Sequence, residues 1–279
     1  MLPVIEMFHS VQGEGKYTGV PSFFIRVSGC NLRCVFKGSM CDTPYSSFNP
    51  EKSKYDSMEA LVAEFIKLSK EHPKTYHIVI TGGEPMLYSK DICEFLKSVY
   101  FLDSQEKISK DYEVTIETNG TLPALRPWES IETDEDGLHF IQYIDTYSIS
   151  PKLSTSVDYE CKVIDKKTMK RHNLTRINYE SLASYIKYVE DAPEADFQLK
   201  FVYSGKDSLE EIKEILDELM HSSGCDWDWL NSKVMLMPEA VTNEQLQAHQ
   251  MECIEVCLKE GWRFCDRLHI RVWGDKRGV

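Results

Sequence analysis

Short apolar stretches that run into glycine-rich or polar motifs, separated by amphipathic stretches, constrain this chain more than any other feature. Residues 22–28 (SFFIRVS), 76–80 (YHIVI), 112–117 (YEVTIE), 143–149, 197–203 (FQLKFVY), 233–237 and 267–273 (RLHIRVW) read as strands. Between them, residues 57–70 place Leu61, Phe65 and Leu68 on one helical stripe, and 91–100 read as a second helix. Asp207 with Glu210 reads as a capping box opening a helix that buries Leu209, Ile212, Leu216 and Leu219. Thr242 with Gln245 reads as another, for a helix to about residue 258. Such alternation implies an α/β fold with a parallel sheet, open or curled into a barrel. Folds of this kind place their sites just beyond the strand ends, where the polar motifs of this chain lie.

A length of 279 residues suits one large α/β domain. Two stretches break the rhythm: 121–137 is acidic and contains ETDED, and 153–180 is basic and contains KK and MKRH. The reading is a single domain over 1–279 with two surface insertions, both solvated loops. The net charge of −13, with acids spread along the chain, argues against a broad basic face for nucleic acid. It favours a small-molecule substrate, and an anionic one needs locally placed cations. No signal-like start and no run of about 20 apolar residues is present, so a cytosolic protein without a membrane span is expected.

Nine cysteines in such a chain raise the question of which bind metal. The strand at 22–28 leads into CNLRCVFKGSMCDT, with Cys30, Cys34 and Cys41 on one loop. Three thiolates there can hold three irons of a [4Fe–4S] cluster and leave the fourth open. A structural zinc site is the rival reading, although zinc wants four ligands, usually in two close pairs. Cys253, Cys257 and Cys265 repeat a similar spacing, but Cys253 and Cys257 share a helical face with Leu246 and read as core. Cys93, Cys161 and Cys225 carry no functional reading.

With CxxxC followed by TGGEP at 81–85, the chain resembles the radical S-adenosylmethionine (SAM) superfamily, whose usual signature is CxxxCxxC. ETNG at 117–120 and SPK at 150–152 occupy the next strand ends. Within the superfamily, FHSVQGEGKYTGVPSFFIRVSGCNLRC, the following CDT and the closing HIRVWGDKRGV are similar to the 7-carboxy-7-deazaguanine synthase family. Two departures stand out. Six residues (VFKGSM) separate Cys34 from Cys41 where the family commonly has two, and Met40 stands where an aromatic residue usually lies by the adenine.

The resemblance implies an incomplete (β/α)6 barrel, often a homodimer, served by a flavodoxin- or ferredoxin-type electron donor. It implies conversion of 6-carboxy-5,6,7,8-tetrahydropterin to 7-carboxy-7-deazaguanine with loss of ammonia, in queuosine-type 7-deazapurine biosynthesis. The cofactors would be a [4Fe–4S] cluster, SAM and Mg²⁺. Cys30, Cys34 and Cys41 would carry the cluster and the radical chemistry it starts. SAM would meet Met40, Cys41, Asp42, Gly82, Gly83, Glu84, Glu117, Asn119, Ser150, Pro151 and Lys152. The substrate would meet Val11, Gln12, Gly13, Glu14, Arg26, Thr81 and Val279, with Arg26 suited to a carboxylate. Thr43 would bind Mg²⁺. An activase of a glycyl-radical enzyme is the alternative; it would share the cluster and GGE motif but not need QGEG or WGDKRGV.

Overall fold

The computed structural model describes residues 1–37, 39–106, 112–124, 144–192, 194–274 and 276–279. Strand β1 (Val4–Val11), which the sequence reading above does not include, pairs antiparallel with β2 (Pro21–Val27). Two short strands, β3 (Val35–Phe36) and β4 (Ser39–Met40), form a separate hairpin. Then follow β5 (His77–Gly82), β6 (Glu113–Thr118), β7 (Thr146–Ile149), β8 (Asp196–Tyr203), β9 (Val234–Pro238) and the two-residue β10 (Arg263–Phe264). From β2 to β10 every neighbouring pair in the main sheet is parallel.

The spatial order β1-β2-β5-β6-β7-β8-β9-β10 follows the chain order. Right-handed crossovers in one direction put the connecting helices on one face, and the sheet curls with the other face inward. Six parallel strands, β2 and β5 to β9, therefore make an incomplete (β/α)6 barrel; the sheet ends at β1 and β10 without joining them.

The helices are α1 (Pro44–Ser47), α2 (Met58–Glu71), α3 (Ser89–Glu106), α4 (Lys166–Thr175), α5 (Tyr179–Asp191), α6 (Lys206–Ser223), α7 (Trp227–Ser232), α8 (Asn243–Glu260) and α9 (Leu268–Trp273). In α2, Leu61 and Phe65 are fully buried, and Ser57 caps the first turn by accepting from the Ala60 N–H at 3.2 Å. The Thr242–Gln245 capping box is present at α8. Asp207 is not a cap: Gly205, at φ +118°, lets the chain turn earlier, α6 starts at Lys206, and Asp207 falls inside the first turn. There its charge still suits the helix dipole.

Residues 267–273 are a correction. They form α9, not a closing strand. The alternation of Leu268, Ile270 and Val272 suggests period two, but only Ile270 is buried in the helix, while Val272 is 57% and Trp273 37% exposed. The Leu268 N–H is drawn to the Gly13 carbonyl at 2.9 Å instead of a sheet ladder.

The basic stretch 153–180 also differs from a solvated loop. It contains α4, which buries Met169 and His172. Of the acidic stretch, residues 125–137 lie outside the described residues. Residues 121–124 pack against α5: the Thr121 carbonyl accepts from Asn178 Nδ2 at 3.1 Å and the Leu122 carbonyl from Tyr185 Oη at 2.8 Å.

Candidate active site

A cavity of about 740 Å³ opens at the C-terminal ends of the parallel strands. That volume is within the ~300–1,000 Å³ usual for small-molecule sites. Every sequence-predicted site residue lines it except Glu84 and Pro151.

The cysteine loop is held from below. The Gly29 N–H donates to the Ser46 carbonyl at 2.7 Å, and the Glu84 N–H donates to the Gly29 carbonyl at 2.8 Å. Gly83 permits that approach, because a Cβ there would overlap the Gly29 carbonyl oxygen. Arg33 Nη1 reaches back to the Cys30 and Leu32 carbonyls, each at 2.7 Å. Of the six residues between Cys34 and Cys41, four pair as the β3–β4 hairpin, with Val35 opposite Met40 and Phe36 opposite Ser39. The Cys41 N–H donates to the Cys34 carbonyl at 3.1 Å, so the long spacing returns the third cysteine beside the second.

All nine cysteines are free. Burial pushes the Cys30 thiol up to about 11 and the Cys34 thiol up to about 12, and raises Cys41 as well; the Lys152 ammonium opposes each shift. Metal binding at such thiols must displace their protons. Among the described residues no three His, Cys, Asp or Glu side chains converge on one point as a single ion requires. A [4Fe–4S] cluster makes no such demand, since each cysteine bonds a different iron. Three thiols on a loop fixed at both ends, facing one cavity with a lysine beside them, fit the cluster.

Glu84 departs from the cofactor-contact expectation. It is fully buried, and burial raises its carboxyl. Its oxygens accept from the Met86 N–H at 3.0 Å, Thr118 Oγ1 at 2.7 Å and the Asn119 N–H at 2.7 Å. It clamps the GGE turn to the end of β6 and leaves the backbone of Gly82 and Gly83 to the cavity. Pro151 is buried and does not line the cavity, while the Ser150 N–H donates to the Thr118 carbonyl at 2.8 Å and Lys152 Nζ donates to Ser150 Oγ at 2.9 Å. Asn119 donates to Asn31 Oδ1 at 3.0 Å, which joins this strand end to the cysteine loop.

The loop after β1 crosses the open side of the barrel. Gln12 Oε1 accepts from the Gly13 and Glu14 N–H groups at 2.7 and 3.3 Å, and Gln12 Nε2 donates to Glu117 Oε1 at 3.1 Å. Glu117 Oε2 also accepts from Thr81 Oγ1 at 2.6 Å. Further along, the loop is fastened to alternate residues of β8, which share a face. Glu14 Oε2 meets Lys200 Nζ at 2.5 Å, the Lys16 N–H donates to Gln198 Oε1 at 2.9 Å, and Lys16 Nζ meets Asp196 at 2.7 Å. Gly15 lies over Gln198 at φ +76°, a conformation and a clearance that suit glycine.

Sequence reading missed the partners of Glu14. Arg267 Nε meets Glu14 Oε1 at 2.9 Å and its Nη2 meets Asp42 Oδ2 at 2.7 Å; His269 Nε2 lies 3.9 Å from Glu14. Burial pushes the Glu14 carboxyl up, but Lys200, Arg267 and His269 outweigh it and hold it well below the usual range. Burial likewise opposes the charge on Lys200 and Arg267, and their carboxylate partners keep both firmly cationic. Thr43 Oγ1 donates to Asp42 Oδ1 at 2.9 Å and accepts no hydrogen bond among the described residues. A signal for Lys200 exists: it alternates with Leu199 and Phe201 on the inward side of FQLKFVY.

A second cation group borders the cavity. Arg26 Nε donates to Glu6 Oε2 at 2.8 Å, and its two Nη groups have no hydrogen-bond acceptor among the described residues. Arg277 also meets Glu6, grips both oxygens of Glu51 at 2.8 Å and stacks 3.7 Å over the Tyr45 ring. This anchors the tail whose last residue, Val279, lines the cavity. Elsewhere, Cys253 and Cys257 are buried in the main core, and Cys265 packs with Met235 and Met237 while accepting from the Gly15 N–H at 3.1 Å.

The radical SAM superfamily sequence model matches residues 24–219. The 7-carboxy-7-deazaguanine synthase of Halobacterium salinarum is 34% identical over 277 residues, 98% of this chain and 91% of that protein. The enzyme of the same name from Rhodopirellula baltica is 33% identical, covering 100% of this chain and 89% of its own length. A crystal structure of QueE from Escherichia coli superposes with a TM-score of 0.55 at 23% identity, over 96% of this chain and 94% of that one, and shares the fold. No helix among the described residues is long and apolar enough to cross a membrane. The three thiols beside the GGE turn, and relatives matched end to end, place this chain in the radical SAM superfamily and, within it, in the 7-carboxy-7-deazaguanine synthase family.

Proposed function

We propose that this enzyme contracts 6-carboxy-5,6,7,8-tetrahydropterin to 7-carboxy-7-deazaguanine with loss of ammonia. One observation carries the reading: the three cysteines and Gln12, Gly13 and Glu14 of the QGEG loop face the same cavity. The cluster and SAM, when bound, supply a deoxyadenosyl radical that removes a substrate hydrogen.

The chain's residues do the rest. Cys30, Cys34 and Cys41 hold the cluster. The backbone of Gly82 and Gly83, with Met40, Glu117, Asn119 and Ser150, receives SAM, and Lys152 offsets its carboxylate. Gln12, the backbone of Val11 and Gly13, and Thr81 read the donor–acceptor edge of the pterin. Glu14, kept ionised by its partners, contributes acceptors to the same edge. The two free Nη groups of Arg26 suit the substrate carboxylate, and the anchored tail brings Val279 to the substrate. Thr43, its proton committed to Asp42, offers an oxygen to Mg²⁺, whose other ligands are waters and substrate oxygens. The reading includes a homodimer, a cytosolic setting and an electron donor of the flavodoxin or ferredoxin type.

Anaerobic reconstitution tests it. The expected result is one [4Fe–4S] cluster per chain and formation of the deazaguanine acid from the carboxylated pterin. Zinc in place of iron and sulfide, or two clusters per chain, overturns the assignment.

A further inference from the structure

The stretch 162–176 holds six lysines and arginines and one acid, Asp165, in a chain whose net charge is −13. The Asp165 carboxylate is spent capping α4, accepting from the Thr168 N–H at 2.9 Å and Thr168 Oγ1 at 2.8 Å. Arg176 turns inward to Glu211 at 2.6 Å. Lys162, Lys166, Lys167, Lys170 and Arg171 remain exposed, and none has an ion-pair partner among the described residues. At 3.6 residues per turn the four on α4 fall within an arc of about 140°. Met169 and His172, both buried, lie on the opposite side.

That buried side is fastened to the cysteine loop. His172 Nδ1 accepts from the Arg33 N–H at 3.3 Å, between Cys30 and Cys34. Its other nitrogen is 3.1 Å from Ser156 Oγ, which itself donates to the Leu153 carbonyl. Burial lowers His172 to about 4, so the neutral ring serves both bonds. A cationic face on an otherwise acidic protein thus sits one side chain away from the segment that carries the cluster ligands.

We propose that the exposed face of α4 docks the acidic one-electron carrier protein that reduces this enzyme; the inference rests on the radical SAM reading above. One electron leaves the carrier's reduced flavin or iron–sulfur centre and reduces the cluster by one, and no atom changes hands. The lysines attract an acidic partner to this face while the remaining surface repels it. A nucleic acid fits less well, because five cations on one short segment do not make the broad basic track that phosphates require.

The test uses the full chain with its cluster, in wild type and in the variant Lys166→Glu, Lys167→Glu, Lys170→Glu, Arg171→Glu. The probe is an acidic flavodoxin; sodium dithionite is the small reductant for comparison. Flavodoxin binding, read by FMN fluorescence anisotropy at low salt, should weaken by at least about tenfold, and the gap should narrow at high salt. SAM cleavage should fall similarly with flavodoxin and stay at the wild-type rate with dithionite. Neutralising Lys166→Gln and Lys170→Gln should give an intermediate loss with unchanged iron content, which guards against a folding defect in the reversed variant. Equal flavodoxin affinity and equal salt dependence in all three proteins overturns the docking site, as does a loss of tRNA binding with flavodoxin binding intact. Failure of the wild type to cleave SAM with dithionite strikes instead at the functional reading.

Discussion

Two carboxylates, each held by two cations, fasten the N-terminal loop to β8, one at the strand's first residue, Asp196, and one four residues on, at Lys200. At the base, Asp196 meets Lys16 and Lys233 at 2.7 Å each, and these side chains are 31%, 22% and 21% exposed. At the cavity, Glu14 meets Lys200 and Arg267, with exposures of 14%, 7% and 9%. The chemistry is nearly the same and the surroundings are not. Water screens the outer group, so each pair there is worth about 0–1 kcal/mol. Removing one member of the inner group strands buried charge and costs about 3–5 kcal/mol. The loop's position over the barrel is therefore set from the cavity side, where Gln12 and Glu14 also line the cavity.

The strongest way to break this contrast is Glu14→Ala against Asp196→Ala. Urea unfolding should show a loss of about 3–5 kcal/mol for the first and at most about 2 kcal/mol, for two screened pairs, for the second. Equal losses would mean that burial is not what separates the two groups. Arg26→Ala sharpens the same point at the cavity rim. It should weaken binding of the carboxylated pterin by about 2–5 kcal/mol and leave SAM binding nearly unchanged, as read by calorimetry. A variant that loses SAM affinity and keeps the pterin would remove Arg26 from its carboxylate role.

The base of the barrel has its own sensitivity, to pH. His77 is wedged between Ser22 Oγ and Thr115 Oγ1, each at 2.8 Å, and burial lowers it to about 4 against an ordinary 6.5. The native state holds it neutral while the unfolded chain binds a proton. Its contribution is full above pH 6.5 and is lost as pH falls toward 4, a change of about 3 kcal/mol. Urea midpoints measured across that range should fall in wild type and flatten in His77→Gln; parallel curves would show that other groups set the acid limit. The smallest effect expected is at Thr43. Replacement by Ala should blunt the Mg²⁺ response of product formation while iron content stays constant, and a wild-type Mg²⁺ titration would exclude the ligand role.

What the sequence made legible was local. TGGEP, ETNG and SPK each sit within a few residues of the strand that presents them, so spacing alone placed them at one end of the sheet. The partners that finish the site are remote. Lys200 reaches Glu14 across 186 positions, Arg267 reaches it across 253, and Arg277 reaches Glu6 across 271. No local pattern encodes those meetings. Residues 267–273 misled for a related reason: the apolar alternation was real, but the strand beside it spans only Arg263–Phe264 and offers no ladder to extend. Glu84 shows the converse, a motif residue at the right place whose carboxylate is already consumed by the backbone it braces.

The hairpin between Cys34 and Cys41 separates contour length from end-to-end distance. Six residues intervene, yet the two cysteines are joined through a single 3.1 Å hydrogen bond, because an antiparallel ladder stores chain in pairs without moving its ends. Longer loops can grow outward from the same closure, provided the turn keeps the two strands in register. In this chain the closure of the hairpin, not the number of residues between Cys34 and Cys41, sets how near the two cysteines come.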